Sequence, residues 1–175
     1  MHIFLLGHRN IGKSTVINRT LELLKSRMDF MTGGFRTWRG GADDPHIYMQ
    51  PVISGWEREK YRLASYHVHG HKIDCDPQVF DRVGVCLLNG SRDADLIIMD
   101  ELGFLERKSY QFQQKVLSVL ANSTPVIGVL RLGDILWHNQ IKSDPRVNLV
   151  EVTSGNRDQL PEDLAALLTP FIRQS

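Results

Sequence analysis

The chain has 175 residues, of which 42% are hydrophobic and 23% are charged, and its formal net charge at pH 7 is +1. This length and composition are typical of one globular domain, so we expect residues 1–175 to fold as a single domain. The near-zero net charge gives no general attraction to nucleic acid or to an anionic membrane, and we expect neither as a partner. No apolar run approaches the roughly 20 residues that a membrane-spanning helix requires.

The cysteines and the amino-terminal residues bear on the cellular compartment. Cys75 and Cys86 do not form a C-x-x-C motif, and their number and spacing favour reduced thiols. The chain enters its first apolar run without a basic and apolar leader segment. We therefore predict a cytoplasmic protein, and we expect it to be a monomer.

Residues 7–14 read Gly-His-Arg-Asn-Ile-Gly-Lys-Ser and match the phosphate-binding pattern G-x-x-x-x-G-K-S. Gly7 and Gly12 lack a Cβ, so the backbone can turn tightly and direct its N–H groups at a phosphate. Lys13 supplies a positive charge for the β- and γ-phosphates, and Ser14 offers a hydroxyl to Mg²⁺. The predicted nucleotide-binding residues of this loop are Gly7, His8, Arg9, Asn10, Ile11, Gly12, Lys13, Ser14 and Thr15.

The sequence on either side of the loop agrees with this interpretation. Residues 2–6 form a short apolar run, which is typical of a buried parallel strand. After the loop, Ile17, Leu21 and Leu24 lie at helical spacing and predict a helix over residues 13–27. A strand, a loop and a helix in this order are the context that phosphate binding requires. The alternative is an ordinary glycine-rich turn.

Residues 33–75 differ in character and predict an antiparallel insertion. Residues 33–41 resemble a strand between glycine pairs, and residues 43–45 are typical of a turn. Residues 46–53 predict a return strand, and residues 62–71 predict a further strand. The insertion is rich in cations, namely Arg36, Arg39, Arg58, Lys60 and Arg62.

The remaining sequence alternates helices with apolar strands. This alternation predicts an α/β fold in which a mainly parallel sheet is covered by helices on both faces. The last helix is predicted to carry one apolar stripe of Leu160, Leu164, Leu167 and Phe171. The predicted helices begin at Asp76, Ser109, Asp134 and after Asp158, and the predicted strands cover residues 95–100, 125–130 and 148–152.

A pair of acids completes the predicted nucleotide site. Asp100 and Glu101 follow four apolar residues at the carboxyl end of a predicted strand, where ligands bind in open α/β sheets. Asp100 is then placed to hold Mg²⁺, through water, opposite Ser14. Glu101 can face the γ-phosphate, where a carboxylate that deprotonates water contributes roughly 10²–10⁴-fold to the rate. Without the phosphate-binding loop, a solvated strand end would be the favoured interpretation.

Three later residues are candidates for which alternatives remain open. Arg131 follows the predicted 125–130 strand and can stabilise charge on a transferring phosphoryl group, or it can be a surface arginine paired with an acid. Asn156 can bind a base edge or cap the last helix, and Arg157 can stack on a base. The predicted catalytic residues are Lys13, Glu101 and Arg131.

Two further patterns have a functional and a structural interpretation. His67, His69 and His71 share one face of a predicted strand. With Cys75 they can bind zinc, but a polar strand face is the more common arrangement. Each tryptophan can stack on a base or pack in the core, and the three are Trp38, Trp56 and Trp137.

Four stretches occur in a distinctive order, namely residues 2–14, residues 34–37, D-E-L-G at 100–103 with Glu106, and V-T-S-G-N-R at 152–157. In these stretches the chain resembles the P-loop nucleoside-triphosphatase family that includes a cancer-related nucleoside triphosphatase of animals and thermophile-type NTPases. The resemblance implies a three-layer RecA-like P-loop fold. It also implies Mg²⁺-dependent hydrolysis of nucleoside 5′-triphosphates, including ATP and GTP, to the diphosphate and phosphate.

The chain departs from this family in three of these stretches. The family's phosphate-binding loop is usually richer in Pro and Gly than residues 8–10 of this chain. Where the family has G-F-Y-T-E-E, this chain has Arg36, Trp38 and Arg39 in place of a tyrosine and two acids. Phe104 stands where the family has a lysine. The resemblance therefore leaves the cation at the γ-phosphate open among Arg36, Arg39 and Arg131.

Two other functions are consistent with the same motifs. A small-molecule kinase would use residues 36–62 as an acceptor site and Glu101 to activate an acceptor hydroxyl, although we find no compact arginine-bearing lid late in the sequence. An adaptor protein would bind ATP or GTP without turnover. A G-protein switch is disfavoured because the sequence has no N-K-x-D motif. Hydrolysis is the leading prediction.

Overall fold

The computed structural model describes residues 1–41, 43–53, 59–67 and 72–173. The strands are β1 (His2–Leu6), β2 (Thr32–Arg39), β3 (His46–Pro51), β4 (Tyr61–His67), β5 (Lys72–Cys75), β6 (Leu96–Leu102), β7 (Val126–Leu130) and β8 (Val147–Glu151). The helices are α1 (Lys13–Arg27), α2 (Pro77–Val79), α3 (Val85–Asn89), α4 (Tyr110–Leu120), α5 (His138–Lys142) and α6 (Leu160–Leu168). A π-helical turn, Phe80–Gly84, joins α2 to α3, and a 3₁₀ turn, Thr169–Phe171, follows α6.

All eight strands form one sheet in the order β5-β4-β3-β2-β6-β7-β1-β8. The strands β2, β6, β7, β1 and β8 pair in parallel, whereas β2, β3, β4 and β5 pair in antiparallel. Parallel pairing brings the carboxyl ends of β1, β6 and β7 to one edge of the sheet, where ligands bind in such folds. The predicted α/β class with an antiparallel part is confirmed.

The strand β2 is the element that sequence reasoning assigned incorrectly. We expected it to belong wholly to the antiparallel insertion, but it also pairs in parallel with β6. Gly33 and Gly34 obscure the apolar pattern of a central strand, and close packing explains why they are present. A Cβ at Gly33 would lie 2.5 Å from the Cβ of Ser91. Gly34 has a φ of +95° and a Cβ there would collide with the Ile98 carbonyl oxygen.

Helices cover both faces of the sheet, which gives the predicted three layers. The helices α1 and α6 pack on one face, and α3 and α4 pack on the other. Leu164 and Leu168 are buried, whereas Leu167 and Phe171 are 52% and 46% exposed, so the predicted stripe was partly wrong. The 3₁₀ turn after α6 changes the residue spacing, which rotates Phe171 away from the core.

The boundaries of other predicted elements differ in places from the sequence prediction. Asp76 caps the segment that begins at Pro77, as expected, because its Oδ1 accepts from the Gln78 N–H at 3.0 Å. The short helix predicted from Asp134 begins only at His138. The strand predicted over residues 62–71 is described as β4, and residues 68–71 lie outside the described ranges. Within the described ranges, no helix is long and apolar enough to cross a membrane.

Candidate active site

The loop between β1 and α1 has the backbone that the glycine pattern predicts. Gly7 and Gly12 have φ values of 144° and 108°, and Asn10 has a φ of 62°, so three residues adopt left-handed conformations. A Cβ at Gly7 would lie 2.7 Å from the Val152 carbonyl oxygen, which explains the need for glycine. Among the described residues, no side chain caps the start of α1 at Gly12, so the first helical N–H groups are available to an anion.

Lys13 lies within this loop and is only 8% exposed. Its Nζ donates to the carbonyl oxygens of Gly7 and His8 at 2.9 and 2.8 Å. Burial lowers the pKa of Lys13, while the nearby carboxylates of Glu101 and Asp100 raise it. The ammonium group is therefore held at the mouth of the loop by neutral oxygens, which an anionic ligand can outcompete.

Asp100 lies at the end of β6 and is 3% exposed. The Ser14 hydroxyl donates to Asp100 Oδ1 at 3.1 Å across 86 residues of sequence. Burial raises the pKa of Asp100 to about 6, and the Ser14 hydrogen bond and the charges of Arg36 and Lys13 oppose that rise. The predicted pair of oxygen donors is therefore assembled, and it includes a carboxylate that is poorly solvated.

Glu101 reaches the same cleft from the next position. Its backbone N–H donates to Thr37 Oγ1 at 3.2 Å, which ties the end of β6 to β2. Its Oε1 lies 3.6 Å from Arg131 Nη1, and the two side chains are 33% and 37% exposed. The guanidinium of Arg131 also lies over the Phe104 ring, at 4.5 Å from the ring centroid. A half-exposed ion pair of this length is weak, so Arg131 can exchange Glu101 for a phosphate.

These groups line one cleft of about 600 Å³, a volume in the usual range for small-ligand sites. From the phosphate-binding loop, which follows β1, the cleft passes the ends of β7, β6 and β2 in the order of the sheet. Its lining comprises Gly7, His8, Arg9, Asn10, Gly12, Lys13, Ser14, Thr15, Thr37, Trp38, Arg39, Ile47, Asp100, Glu101, Phe104, Leu105, Arg131 and Leu132.

Three predicted binding residues lie outside this lining. Ile11 packs against the hydrophobic core on the α1 side of the sheet. Asn156 uses its side chain within its own loop, where Oδ1 accepts from the Thr153 N–H and Nδ2 donates to the Glu151 carbonyl oxygen, both at 2.8 Å. Arg157 lines a smaller neighbouring cleft of about 180 Å³, which Gly12 and Thr15 also border.

Sequence reasoning missed the roles of two residues around the acids. Thr37 belongs to the 34–37 stretch of the family resemblance but received no role there, because its contact with Glu101 depends on β2 pairing beside β6. Glu106 is 2% exposed and accepts a hydrogen bond from the Gly103 N–H. Burial raises the pKa of Glu106 to about 7. The D-E-L-G-x-x-E stretch marked Glu106 as part of the family pattern, but only the structure shows that it accepts from the Gly103 N–H.

The structure describes two of the three tryptophans and leaves most of the predicted histidine cluster outside the described residues. Trp137 is buried, and its Nε1 donates to the Gly103 carbonyl oxygen at 3.3 Å, so it packs in the core. Trp38 is 38% exposed and lines the cleft. In the part of the chain that is described, no three acidic, histidine or cysteine side chains form a metal cluster. Several residues named in the sequence predictions lie outside the described residues, namely Trp56, Arg58, His69 and His71. The side chain of His67 is also not described.

Comparison with known proteins agrees with this arrangement. A family model with the description NTPase matches residues 2–165. The chain belongs to this NTPase family. Nucleoside-triphosphatase THEP1 of Methanosarcina acetivorans is 29% identical over 173 residues, which cover 94% of each chain. Nucleoside-triphosphatase THEP1 of Thermofilum pendens is 30% identical over 192 residues, which cover 98% of this chain and 97% of the relative.

Solved structures place the NTPase family chain in the same fold. The crystal structure of THEP1 from Aquifex aeolicus matches with a TM-score of 0.76 and 25% identity, over 96% of this chain and 99% of that chain. The solution structure of a human cancer-related nucleoside triphosphatase matches with a TM-score of 0.73 and 23% identity, over 97% of both chains. The family resemblance seen in the sequence is therefore confirmed.

Proposed function

We propose that this NTPase family member hydrolyses nucleoside 5′-triphosphates, including ATP and GTP, to the diphosphate and phosphate in a Mg²⁺-dependent reaction. The observation that carries the proposal is the placement of Glu101 in the cleft that also contains Lys13 and the Ser14–Asp100 pair. A phosphate-binding loop alone is compatible with many reactions. A solvent-accessible carboxylate beside the bound phosphates can in addition activate the attacking water, which favours hydrolysis.

The residues of the cleft fit Mg²⁺, which prefers hard oxygen ligands and keeps several water molecules. Ser14 and Asp100 supply a hydroxyl and a buried carboxylate 3.1 Å apart. The high pKa of Asp100 has burial as its main cause, and a cation beside the carboxylate would remove that penalty. Ser14 as a direct ligand and Asp100 acting through water would be enough on the protein side, because the phosphates and water complete the coordination sphere. Bound Mg²⁺ would neutralise charge on the β- and γ-phosphates.

Groups of the protein bind the phosphates, remove a proton from water and stabilise charge on the transferring phosphoryl group. The loop N–H groups and Lys13 bind the phosphates and orient the γ-phosphorus. The Glu101 carboxylate takes a proton from the attacking water, whose oxygen bonds to the γ-phosphorus as the bond to the β,γ-bridging oxygen breaks. Arg131 leaves Glu101 and stabilises the charge on the transferring phosphoryl group. The products are the nucleoside diphosphate and inorganic phosphate.

The proposal includes the cytoplasmic location and the monomeric state expected from the sequence. Size-exclusion chromatography with light scattering checks the second expectation, because a monomer has the sequence mass of 20.0 kDa. A dimer mass at micromolar concentration would contradict it. Neither expectation affects the chemistry of the cleft, since all the groups assigned above come from one chain.

Phosphate release separates hydrolysis from the two alternative functions. The native protein is mixed with ATP, GTP, CTP or UTP, with Mg²⁺ or with excess chelator, and with no acceptor. We expect phosphate release with more than one nucleotide, and loss of release with the chelator. Tight nucleotide binding without release would favour an adaptor. Release of diphosphate only after an acceptor is added would favour a kinase.

A further inference from the structure

Besides the groups assigned to the triphosphate, the cleft contains a second set of lining residues with a different chemical character. At the end of β2, which is farther from the phosphate-binding loop than β7 and β6, the lining includes aromatic and guanidinium groups, and apolar groups follow β6 and β7. We call the residues Trp38, Arg39, Phe104 and Leu132 the aromatic subsite. Leu132 is 47% exposed and Trp38 is 38% exposed, so apolar surface at this end is open to a ligand.

The indole of Trp38 is held in a fixed orientation at the end of β2. It stacks on Tyr48, with ring centroids 4.8 Å apart and an angle of 28° between the rings. The Tyr48 hydroxyl donates to the Asp44 carboxylate at 3.0 Å. Lys60 Nζ lies 4.8 Å from the Tyr48 ring centroid and 5.8 Å from the Trp38 ring centroid. The exposed part of the indole is thus a rigid aromatic surface, on which a planar ring can stack at low entropic cost.

The charge around the aromatic subsite is positive. Arg39 lies over the Tyr66 ring at 5.1 Å from the centroid and has no carboxylate partner in the described part of the chain. Burial lowers the pKa of Arg39, and the neighbouring charges of Arg9 and Arg131 lower it further. The nearby acid is Glu101, whose carboxylate pairs with Arg131. An anion is therefore the missing partner of this group of guanidinium ions.

The position of the aromatic subsite follows from the direction of the bound triphosphate, and so rests on the proposed function. Loop amides hold the α- and β-phosphates, and the lysine reaches the β- and γ-phosphates. Lys13 and Glu101 therefore mark the γ-phosphate end. The nucleoside lies at the opposite end, towards Thr15 and the cleft that contains Arg157. The aromatic subsite consequently lies beyond the terminal phosphate, where the substrate's own base does not reach.

We propose that the aromatic subsite binds a second molecule, a planar heteroaromatic compound with an anionic group, next to the γ-phosphate of the nucleotide. The ring stacks on Trp38 and contacts Leu132, and the anionic group pairs with Arg39. A nucleoside monophosphate has this chemistry and serves as the probe. Because its site is separate from the phosphate-binding loop, it binds while a nucleoside diphosphate occupies that loop.

The experiment is calorimetric titration of GMP and AMP into the native protein saturated with Mg²⁺ and ADP. We expect one additional binding event, which weakens at least 10-fold in Trp38→Ala and in Arg39→Gln and is retained in Trp38→Phe. Arg82→Gln is the control, because Arg82 is an exposed arginine on the π-helical turn, outside the cleft lining. Saturating GMP should also lower phosphate release from GTP without raising its KM.

The outcomes distinguish this proposal from the proposed function. No monophosphate binding to the ADP-saturated protein, or binding that Trp38→Ala and Arg39→Gln leave unchanged, would overturn the aromatic subsite. Competitive inhibition by GMP would also overturn it, because the probe would then occupy the nucleotide site. Failure of the proposed function has a separate signature, namely the absence of ADP binding and of phosphate release in the native protein without any monophosphate.

Discussion

The buried carboxylate of Asp100 should make the nucleotide-free protein less stable, and replacing it by Asn should reverse this effect. Burial raises the pKa of Asp100 from 3.8 to about 6. A difference of about 2 pKa units corresponds to roughly 3 kcal/mol in the free energy of unfolding at a pH above both values. In the Asp100→Asn variant the amide oxygen can still accept from Ser14, so the hydrogen bond is retained while the charge is lost.

The raised pKa of Asp100 determines how the free energy of unfolding changes with pH. Between about pH 4 and pH 6 the folded protein holds a proton on Asp100 that the unfolded chain has lost, so stability falls as the pH rises through this window. The Asn variant does not take part in this loss. We therefore expect Asp100→Asn to be more stable than the native protein by about 3 kcal/mol at pH 8, and by almost nothing near pH 3.5.

Thermal unfolding at both pH values measures the effect. A change of about 3 kcal/mol shifts the Tm of a protein of this size by roughly 6–12 °C. Asp93→Asn is the control, because Asp93 is exposed and should show no such shift. An Asp100→Asn variant that is no more stable at pH 8, or whose gain does not change with pH, would refute the reasoning. Added Mg²⁺ and nucleotide should stabilise the native protein more than the variant.

Two further substitutions test the cation and the packing of β2. Arg131→Gln should lower the rate of phosphate release by about 10³-fold, as expected for a cation at the transferring phosphoryl group, and should leave nucleotide affinity within a few fold in calorimetry. An equal loss of affinity and rate would instead assign Arg131 to ground-state binding. Gly34→Ala should lower the free energy of unfolding by more than about 4 kcal/mol, because its Cβ meets the Ile98 carbonyl oxygen at a φ of +95°. Denaturant titration measures this change. Gly41→Ala is the control, since no atom of the described residues, apart from the neighbours in sequence, lies within 4 Å of a Cβ built there.

The sequence predicted those parts of the fold whose information is local. The strand β1, the loop after it and the helix α1 follow from one apolar run, two glycines and helical spacing. The strand β6 follows from four apolar residues before two acids. Each of these signals lies within about 15 residues of chain, so no knowledge of distant contacts was needed.

The parts that were missed depend on contacts between distant residues. The parallel pairing of β2 with β6 was hidden because Gly33 and Gly34 are selected for close packing against Ser91 and Ile98, not for apolar character. The contact of Thr37 with Glu101 joins residues 64 positions apart. Sequence spacing cannot report such a contact until the strand order is known.

The later candidate residues show the same limit. The sequence left Arg131 between a catalytic cation and a surface ion pair, and the structure puts it in the cleft beside Glu101 and Phe104. The sequence left Asn156 between a base contact and a helix cap. Its side chain instead holds the loop after β8 through the Thr153 N–H and the Glu151 carbonyl oxygen. Loop hydrogen bonds of this kind have no periodic signature.

In the proposed reaction, Glu101 activates water in a cleft that binds nucleoside triphosphates. Single-turnover phosphate release from GTP tests it most directly in the native protein, in Glu101→Gln and in the control Glu162→Gln, which changes an exposed acid on α6. We expect Glu101→Gln to bind Mg²⁺ and GTP within a few fold of native affinity and to release phosphate roughly 10²–10⁴-fold more slowly. Native release rates in Glu101→Gln, with Glu162→Gln also unchanged, would contradict the account.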